Sequence, residues 1–187
     1  MGVVNSLSGL RYDRFGNLID PSDTITERYS LAGYAWRMTF VRQASLADGV
    51  YGTISFLTPT TGRVFMQWGD ISKTGYEIEY SIIEGGTYSG GTTLTPRNYN
   101  RVYPDTSPFQ DCYYGVSPTA TLTGGTAFSA DIIPGTSQGN VKSASATQQS
   151  GVITLKQNTR YTYKCLVIGG ATTLAYFVNA IYVANSQ

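Results

Sequence analysis

The chain contains no histidine. That absence removes the Ser-His-Asp and Cys-His nucleophile systems, the histidine general bases and every zinc site with an imidazole ligand. Cysteine is nearly missing as well, with only Cys112 and Cys165 in 187 residues. Two thiolates cannot complete a cysteine-only zinc site, and they fall far short of the disulfide density of a small secreted scaffold. The sequence leaves a single disulfide open and favours two reduced, buried thiols. Charge is scarce: Asp, Glu, Lys and Arg make up 13%, with 13 basic and 12 acidic residues and a net charge of +1. A soluble domain ordinarily carries about 25%. So balanced a chain has no electrostatic footprint for nucleic acid or for an anionic membrane. No stretch approaches the ~18 consecutive apolar residues of a spanning helix. No basic leader precedes an apolar run at the N-terminus, so no signal peptide is expected. Chemistry, if there is any, falls to carboxylate, Lys or Tyr side chains, and the balance tips toward a structural or binding protein.

What the chain has instead is glycine (21), tyrosine (15) and much Thr and Ser, with 41% hydrophobic residues to build a core. Tyr, Thr and Val suit pleated, half-buried surfaces and Gly suits turns, so the chain reads as all-β. Residues 1–33 stand apart. Arg11, Asp13, Arg14, Asp20, Asp23, Glu27 and Arg28 concentrate charge there, and Gly9, Gly16 and Pro21 break any period. They read as an extended N-terminal arm, with Thr24 and Glu27 spaced as a capping box for one short helical turn ended by Gly33.

Residues 34–187 read as one β-sandwich domain. Trp36, Met38 and Phe40 face one way while Ala35, Arg37, Thr39 and Val41 face the other, a period-2 strand with an aromatic face. Val50–Leu57 is a second strand. The five-residue loop Thr58–Gly62, with its Pro and Gly, predicts a hairpin onto Arg63–Trp68. Tyr76, Ile78, Tyr80 and Ile82 form a buried face opposite Glu77, Glu79 and Ser81. Residues 85–96 read as a glycine-rich flexible loop. Strands are expected over Asn98–Tyr103, Cys112–Val116 and Thr126–Ile133, and residues 134–150 as a long polar loop. Gly151–Lys156, Arg160–Ile168 and Thr172–Val183 are the last strands. Short strands at this spacing predict an antiparallel β-sandwich of jelly-roll type with about eight strands.

Few residues carry a chemical signal. Glu77 and Glu79 share a strand face at roughly 7 Å, near the spacing of glycosidase carboxylates, but their alternation with buried residues is also that of an ordinary solvated face, and the latter reading is preferred. Asp105, Asp111 and Asp131 lie near loops without the spacing of a calcium loop. No metal, cofactor or catalytic residue is assigned. Tyr99, Tyr103, Tyr113 and Tyr114 lie near loops, where tyrosine serves interfaces or stacks sugars. Arg97, Tyr99 and Arg101 fall on one face if the strand is regular, and Arg is suited to bidentate bonds with a partner carboxylate. With Arg11, Tyr12 and Arg14 of the arm, they are the candidate partner-binding residues.

Two segments carry a resemblance. Gly90-Gly91-Thr92-Thr93-Leu94-Thr95-Pro96-Arg97-Asn98-Tyr99-Asn100-Arg101 resembles the GGT-x-LTP-x-N-x-NR segment of small β-sandwich structural proteins of tailed bacteriophages. Leu155-Lys156-Gln157-Asn158-Thr159-Arg160-Tyr161 resembles their LKPNT-x-Y turn, with Gln157 where that pattern has Pro. The order of elements is similar over residues 34–183, and the match at residue level is confined to these two segments. The resemblance implies a capsid decoration, or cement, protein on the outside of the virion head. Its partner would be the major capsid protein, it would assemble in the host cytoplasm as a homo-oligomeric dimer or trimer, and its arm would reach over a neighbouring subunit. It implies no nucleic acid or membrane partner. The alternative readings are a glycan- or receptor-binding module of a head fibre or tail and, from Glu77 and Glu79, a carboxylate glycosidase.

Overall fold

The computed structural model describes residues 11–12, 18–19, 29, 32–67, 71–102, 106–135, 144–146 and 152–184. These residues are almost entirely β-strand, and every pairing between strands is antiparallel. Nearest the N-terminus among the described residues, β1 (Arg11–Tyr12) pairs with β2 (Leu18–Ile19). The sheet strands that follow are β3 (Ala35–Leu46), β4 (Tyr51–Leu57), β5 (Arg63–Gln67) and β6 (Ile71–Glu84). Five short strands come next: β7 (Thr87–Gly90), β8 (Thr92–Thr93), β9 (Arg97–Asn98), β10 (Gln110–Val116) and β11 (Ala120–Thr123). The chain closes with β12 (Thr126–Ile133), β13 (Ala144–Ala146), β14 (Val152–Leu155) and β15 (Arg160–Val183).

β15 organises the rest. One of its sides is lined by β4 and then β3, the other by β6 and then β5. Arg160 at its start lies opposite Leu57, and Val183 at its end lies opposite Arg63. The five residues between Leu57 and Arg63 reach at most about 20 Å, whereas a straight strand of this length would run about 75 Å. The strand therefore doubles back. Its two halves face each other across the core: the rings of Tyr163 and Tyr176 lie 5.2 Å apart, thirteen residues apart on the same strand. One layer thus contains β4, the first half of β15, the second half of β6 and β12. The other contains β3, the second half of β15, β5 and β14.

This corrects two expectations. Arg160–Ile168 and Thr172–Val183 are one strand of 24 residues with a corner in it. β5 does not form a hairpin with β4; it pairs with β15 and β14, because the loop Thr58–Gly62 carries the chain from one layer to the other. The turn chemistry of that loop was legible, but its direction was not.

Glycines make the corner. The pairing of β15 with β6 shifts between Ile168 and Thr172, where Gly169 and Gly170 have φ of 91° and 153°. Opposite Thr172 sits Gly75, with φ 110°. The corner also inverts the alternation of β6. Ile71 and Lys73 point inward before it; Ile78, Tyr80 and Ile82 point inward after it. Tyr76, expected on the buried face, lies at the inversion and is 53% exposed, its ring resting against Gly170.

The core is aromatic-rich and continuous between the layers. Tyr80 stacks on Tyr163, Tyr163 packs on Tyr176, and Tyr176 stacks on Phe40. Trp36, Met38 and Phe40 are buried as their alternation requires. Cys112 and Cys165 are free, buried thiols, and burial pushes the Cys112 thiol up to about 12. Two loop expectations are also corrected. β13 lies inside residues 134–150 and pairs with Ile71–Lys73, and residues 85–96 contain β7 and β8. Short polar strands of this kind lack an apolar period because they lie on sheet margins. Thr24 and Glu27 lie outside the described residues.

Candidate functional site

The described residues 85–102 and 106–125 lie between the end of β6 and β12 as an elaboration on the first layer. The face of that layer turned away from the core carries small polar side chains: Thr53, Ser55, Thr162 and Ser81, all buried. Strand alternation put Ile54, Phe56, Tyr161 and Tyr163 in the core, so these residues had to face outward. They are covered rather than wet. Thr53 Oγ1 donates to the Gly115 carbonyl at 3.2 Å and lies 3.0 Å from the Tyr88 hydroxyl of β7. Ser55 Oγ and Thr162 Oγ1 are 2.9 Å apart. Arg160 donates to Ser55 Oγ at 3.1 Å and to the Asp111 carbonyl at 3.2 Å, and it meets the Asp111 carboxylate at 3.3 Å. Tyr88 stacks on Tyr113 with centroids 5.8 Å apart. Gly115 permits the close approach, since a Cβ there would stand 2.3 Å from the Ala120 Cβ. The elaboration is thus pinned by hydrogen bonds from Thr53 and Arg160, whose directionality fixes its position more strictly than apolar contact would.

Its outer surface is different. Thr87, Ser89, Gly90, Gly91, Thr92, Thr93 and Thr95 are exposed, as are Thr121 and Thr123. Ser89 and Thr121 bridge β7 and β11 through their hydroxyls at 2.7 Å. This rim presents hydroxyls and backbone with almost no charge.

Of the candidate binding residues, Arg97 is exposed on β9, opposite Arg37 of β3. The strand ends at Asn98, so the alternation expected through Arg101 does not run on. Tyr99 is half-buried and donates its N–H to the Ala35 carbonyl at 3.0 Å, and Arg101 is exposed in the turn that follows. β9 stops there because the two asparagines fold the chain: Asn98 Oδ1 accepts from the Asn100 N–H at 2.9 Å and Asn100 Oδ1 accepts from the Val102 N–H at 3.1 Å. Asn98 is buried and also donates to the Gly33 carbonyl at 2.8 Å. The Asn-x-Asn spacing was the available signal for this role, because short amides bond the backbone two residues on. Arg11 and Tyr12 lie on β1, and Arg14 lies outside the described residues. Tyr113 and Tyr114 are half-buried and taken up by packing, Tyr114 edge-on to Phe40. Tyr103 lies outside the described residues.

The carboxylates are spread out. Glu77 and Glu79 are partly exposed on β6, beside Ile168 and Leu166 of β15. Asp131 accepts from the Tyr80 hydroxyl at 2.9 Å and from the Ile132 N–H at 2.8 Å, Asp111 pairs with Arg160, and Asp105 lies outside the described residues. Among the described residues no group of three or more Cys, Asp or Glu is placed to hold a metal ion. Nor is any helix there long and apolar enough to cross a membrane.

One carboxylate is tied to the turn between β14 and β15. Glu84, at the end of β6, accepts from Lys156 at 2.6 Å and from the Tyr161 hydroxyl at 2.7 Å, and that hydroxyl accepts from the Lys156 N–H at 3.0 Å. The Lys156 bond and then the Tyr161 bond hold the Glu84 carboxyl below its ordinary 4.5. Burial, then the bond to Glu84, pushes Tyr161 up to about 12. A depressed carboxyl stabilises the fold above its unfolded-state value and loses that contribution as the pH falls through its folded value. Stability should therefore fall on acidification below about 4.5, and Glu84→Gln should flatten that limb in urea titrations across pH. Tyr161→Phe should cost about 1 kcal/mol at neutral pH; an unchanged acid limb in Glu84→Gln would refute the assignment.

No protein-family model matches the chain, and neither a curated protein nor a solved structure matches it.

Proposed function

We propose that this chain is a bacteriophage capsid decoration protein, a cement that binds the outside of the assembled head and bridges major capsid proteins. The fold we assign is a jelly-roll sandwich. What supports it is the strand order, β3-β15-β5-β14 in one layer and β4-β15-β6-β12 in the other, with β6 and β15 both crossing the same corner. Jelly rolls serve shells and lectins alike, so the fold alone does not choose a function. The observation that carries the reading is the setting of Gly90–Arg101, the segment of residue-level resemblance. It lines an outer rim that exposes hydroxyls, backbone and Arg97, while the polar groups beneath it are committed to internal hydrogen bonds.

The mechanism is adhesive. The rim and the arm, residues 1–33, bury surface against the shell, and Arg97 and Arg101 seek carboxylates on the major capsid protein. A ligand that binds only the assembled lattice stabilises that lattice by mass action. Low net charge lets many copies lie side by side without mutual repulsion. A dimeric or trimeric form would multiply these contacts through effective concentration.

The test adds purified protein to heads of the encoding phage that lack it. Co-sedimentation at a fixed ratio to the shell protein and a raised disruption temperature are expected, both weakened in an Arg97→Glu, Arg101→Glu variant. Absence of binding to expanded heads, with retention on host polysaccharide instead, would replace this reading with the glycan-binding one.

A further inference from the structure

Tyr76 is the one exposed aromatic among the described residues, and its ring lies flat on the β6–β15 corner. A Cβ on Gly170 would stand 2.5 Å from the ring Cε2, 2.7 Å from Cδ2 and 2.8 Å from Cζ. Three consecutive ring atoms so nearly equidistant put that position over the face of the ring. An approach in the ring plane would leave Cε2 far nearer than the other two. A Gly169 Cβ would lie 3.5 Å from Cδ1, on the ring's other side. One face therefore rests on Gly170, with Gly169 at its far edge, and the opposite face is turned to solvent. The main chain of Tyr76 is fixed as well. Lys73 Nζ donates to its carbonyl at 2.7 Å, and Gly135 packs so closely that a Cβ there would stand 2.8 Å from the Glu77 nitrogen. A carboxylate meets the same glycines: Asp48 Oδ1 accepts from the Gly169 N–H at 2.7 Å. Asp48 is exposed and makes no other bond among the described residues, so its second oxygen remains to accept.

A pyranose ring presents C–H groups on one face and hydroxyls around its rim, and this pair of groups matches both. We propose that Tyr76 and Asp48 bind a neutral hexose residue of a polysaccharide. The C–H face of the sugar stacks on the outward face of the Tyr76 ring, and one of its hydroxyls donates to the second oxygen of Asp48. The ring is already immobilised on Gly170, so stacking on it loses little conformational entropy. The charge beside the ring is negative, from Asp48 and the partly exposed Glu77, which disfavours uronic acids, sialic acids and phosphates. A single ring and a carboxylate are too small a patch for a stable protein partner, which needs about 800 Å² a side. The site is separate from the rim. Arg160 bonds the elaboration, and β15 runs from there to Gly169 over about 30 Å of strand. The proposal therefore does not depend on what the rim binds.

Saturation-transfer NMR of the purified full chain with cellohexaose, maltohexaose and galactohexaose tests this directly. Transfer to the ring C–H protons of at least one of them is expected, and none to hexagalacturonate. Tyr76→Ala should abolish the transfer. Asp48→Asn keeps an oxygen for the Gly169 N–H but turns a donor toward the sugar, and it should weaken binding about tenfold. The Arg97→Glu, Arg101→Glu variant should bind the sugar as the wild type does, which separates this site from the capsid reading. No transfer to any neutral oligosaccharide, undiminished transfer in Tyr76→Ala, loss of transfer in the double arginine variant, or tighter binding of hexagalacturonate would overturn the proposal. Should Tyr76→Ala fail to fold, Asp48→Asn decides: weakened binding upholds the site, and an unchanged dissociation constant refutes it.

Discussion

Gly75→Ala should destabilise the protein by about 3 kcal/mol, the sum of a strained backbone and an overlap in a packed interior. Gly75 has φ 110°, where a side chain is strained whatever the space. A Cβ would also stand 2.6 Å from the Ala171 carbonyl oxygen, a backbone atom that cannot swing aside. That oxygen belongs to the corner of β15, so relief would require the two strands to part where the layers are joined. Gly49, in the turn from β3 to β4, is the control. Its φ is 74°, yet a Cβ there meets nothing within 4 Å. Gly49→Ala should therefore show only the left-handed backbone cost, about 1 kcal/mol. Urea titration of both variants separates the contributions. Equal losses would mean that β6 and β15 do not cross the corner together.

The same corner shows how far the sequence could be read. Alternation is a local property, and wherever one face is buried it can be read without knowing the partner strand. Trp36, Met38 and Phe40 were assigned inward on that basis, and Thr126–Ile133 matched β12 end to end. Pairing is not local. Gly169-Gly170 gives the same signal for a turn that ends a strand and for a corner within one, so β15 looked like two strands. Thr58–Gly62 gives the same signal for a hairpin and for a crossing between layers. What decides both is the position of β15 between β4 and β6, a relation over a hundred residues of chain that no window of sequence contains.

The candidate surface was legible to the same degree. Arg97 and Arg101 were singled out and are exposed. The regular strand meant to align them with Tyr99 gave way to the backbone bonding of Asn98 and Asn100. The buried hydroxyls under the rim were invisible for a different reason. Thr53, Ser55 and Thr162 have the composition of a wet strand face, and only the close approach of β7 and β10 takes them out of water.

Phe40→Ala should cost about 4 kcal/mol, the middle of the range for emptying a buried aromatic site. Phe40 is 0% exposed and joins elements that are remote in sequence. It stacks on Tyr176 at 4.7 Å and 11°, meets Tyr114 edge-on at 6.3 Å, and its ring lies against Gly52 of β4. Val102, 90% exposed, should tolerate the same truncation within about 0.5 kcal/mol. The contact with Gly52 allows a sharper measurement. A Cβ on Gly52 would stand 2.6 Å from the Phe40 Cζ, so Gly52→Ala alone should be destabilising. In a Phe40→Ala background the added methyl enters the space the ring has left, and the loss should shrink or change sign. A coupling of about 1–3 kcal/mol in that double-mutant cycle is the expected result. Phe40 belongs to the layer of β3 and Gly52 to that of β4, so the coupling reports directly on whether the two layers face each other. Strict additivity would place them apart and undo the doubling back of β15 from which the architecture follows.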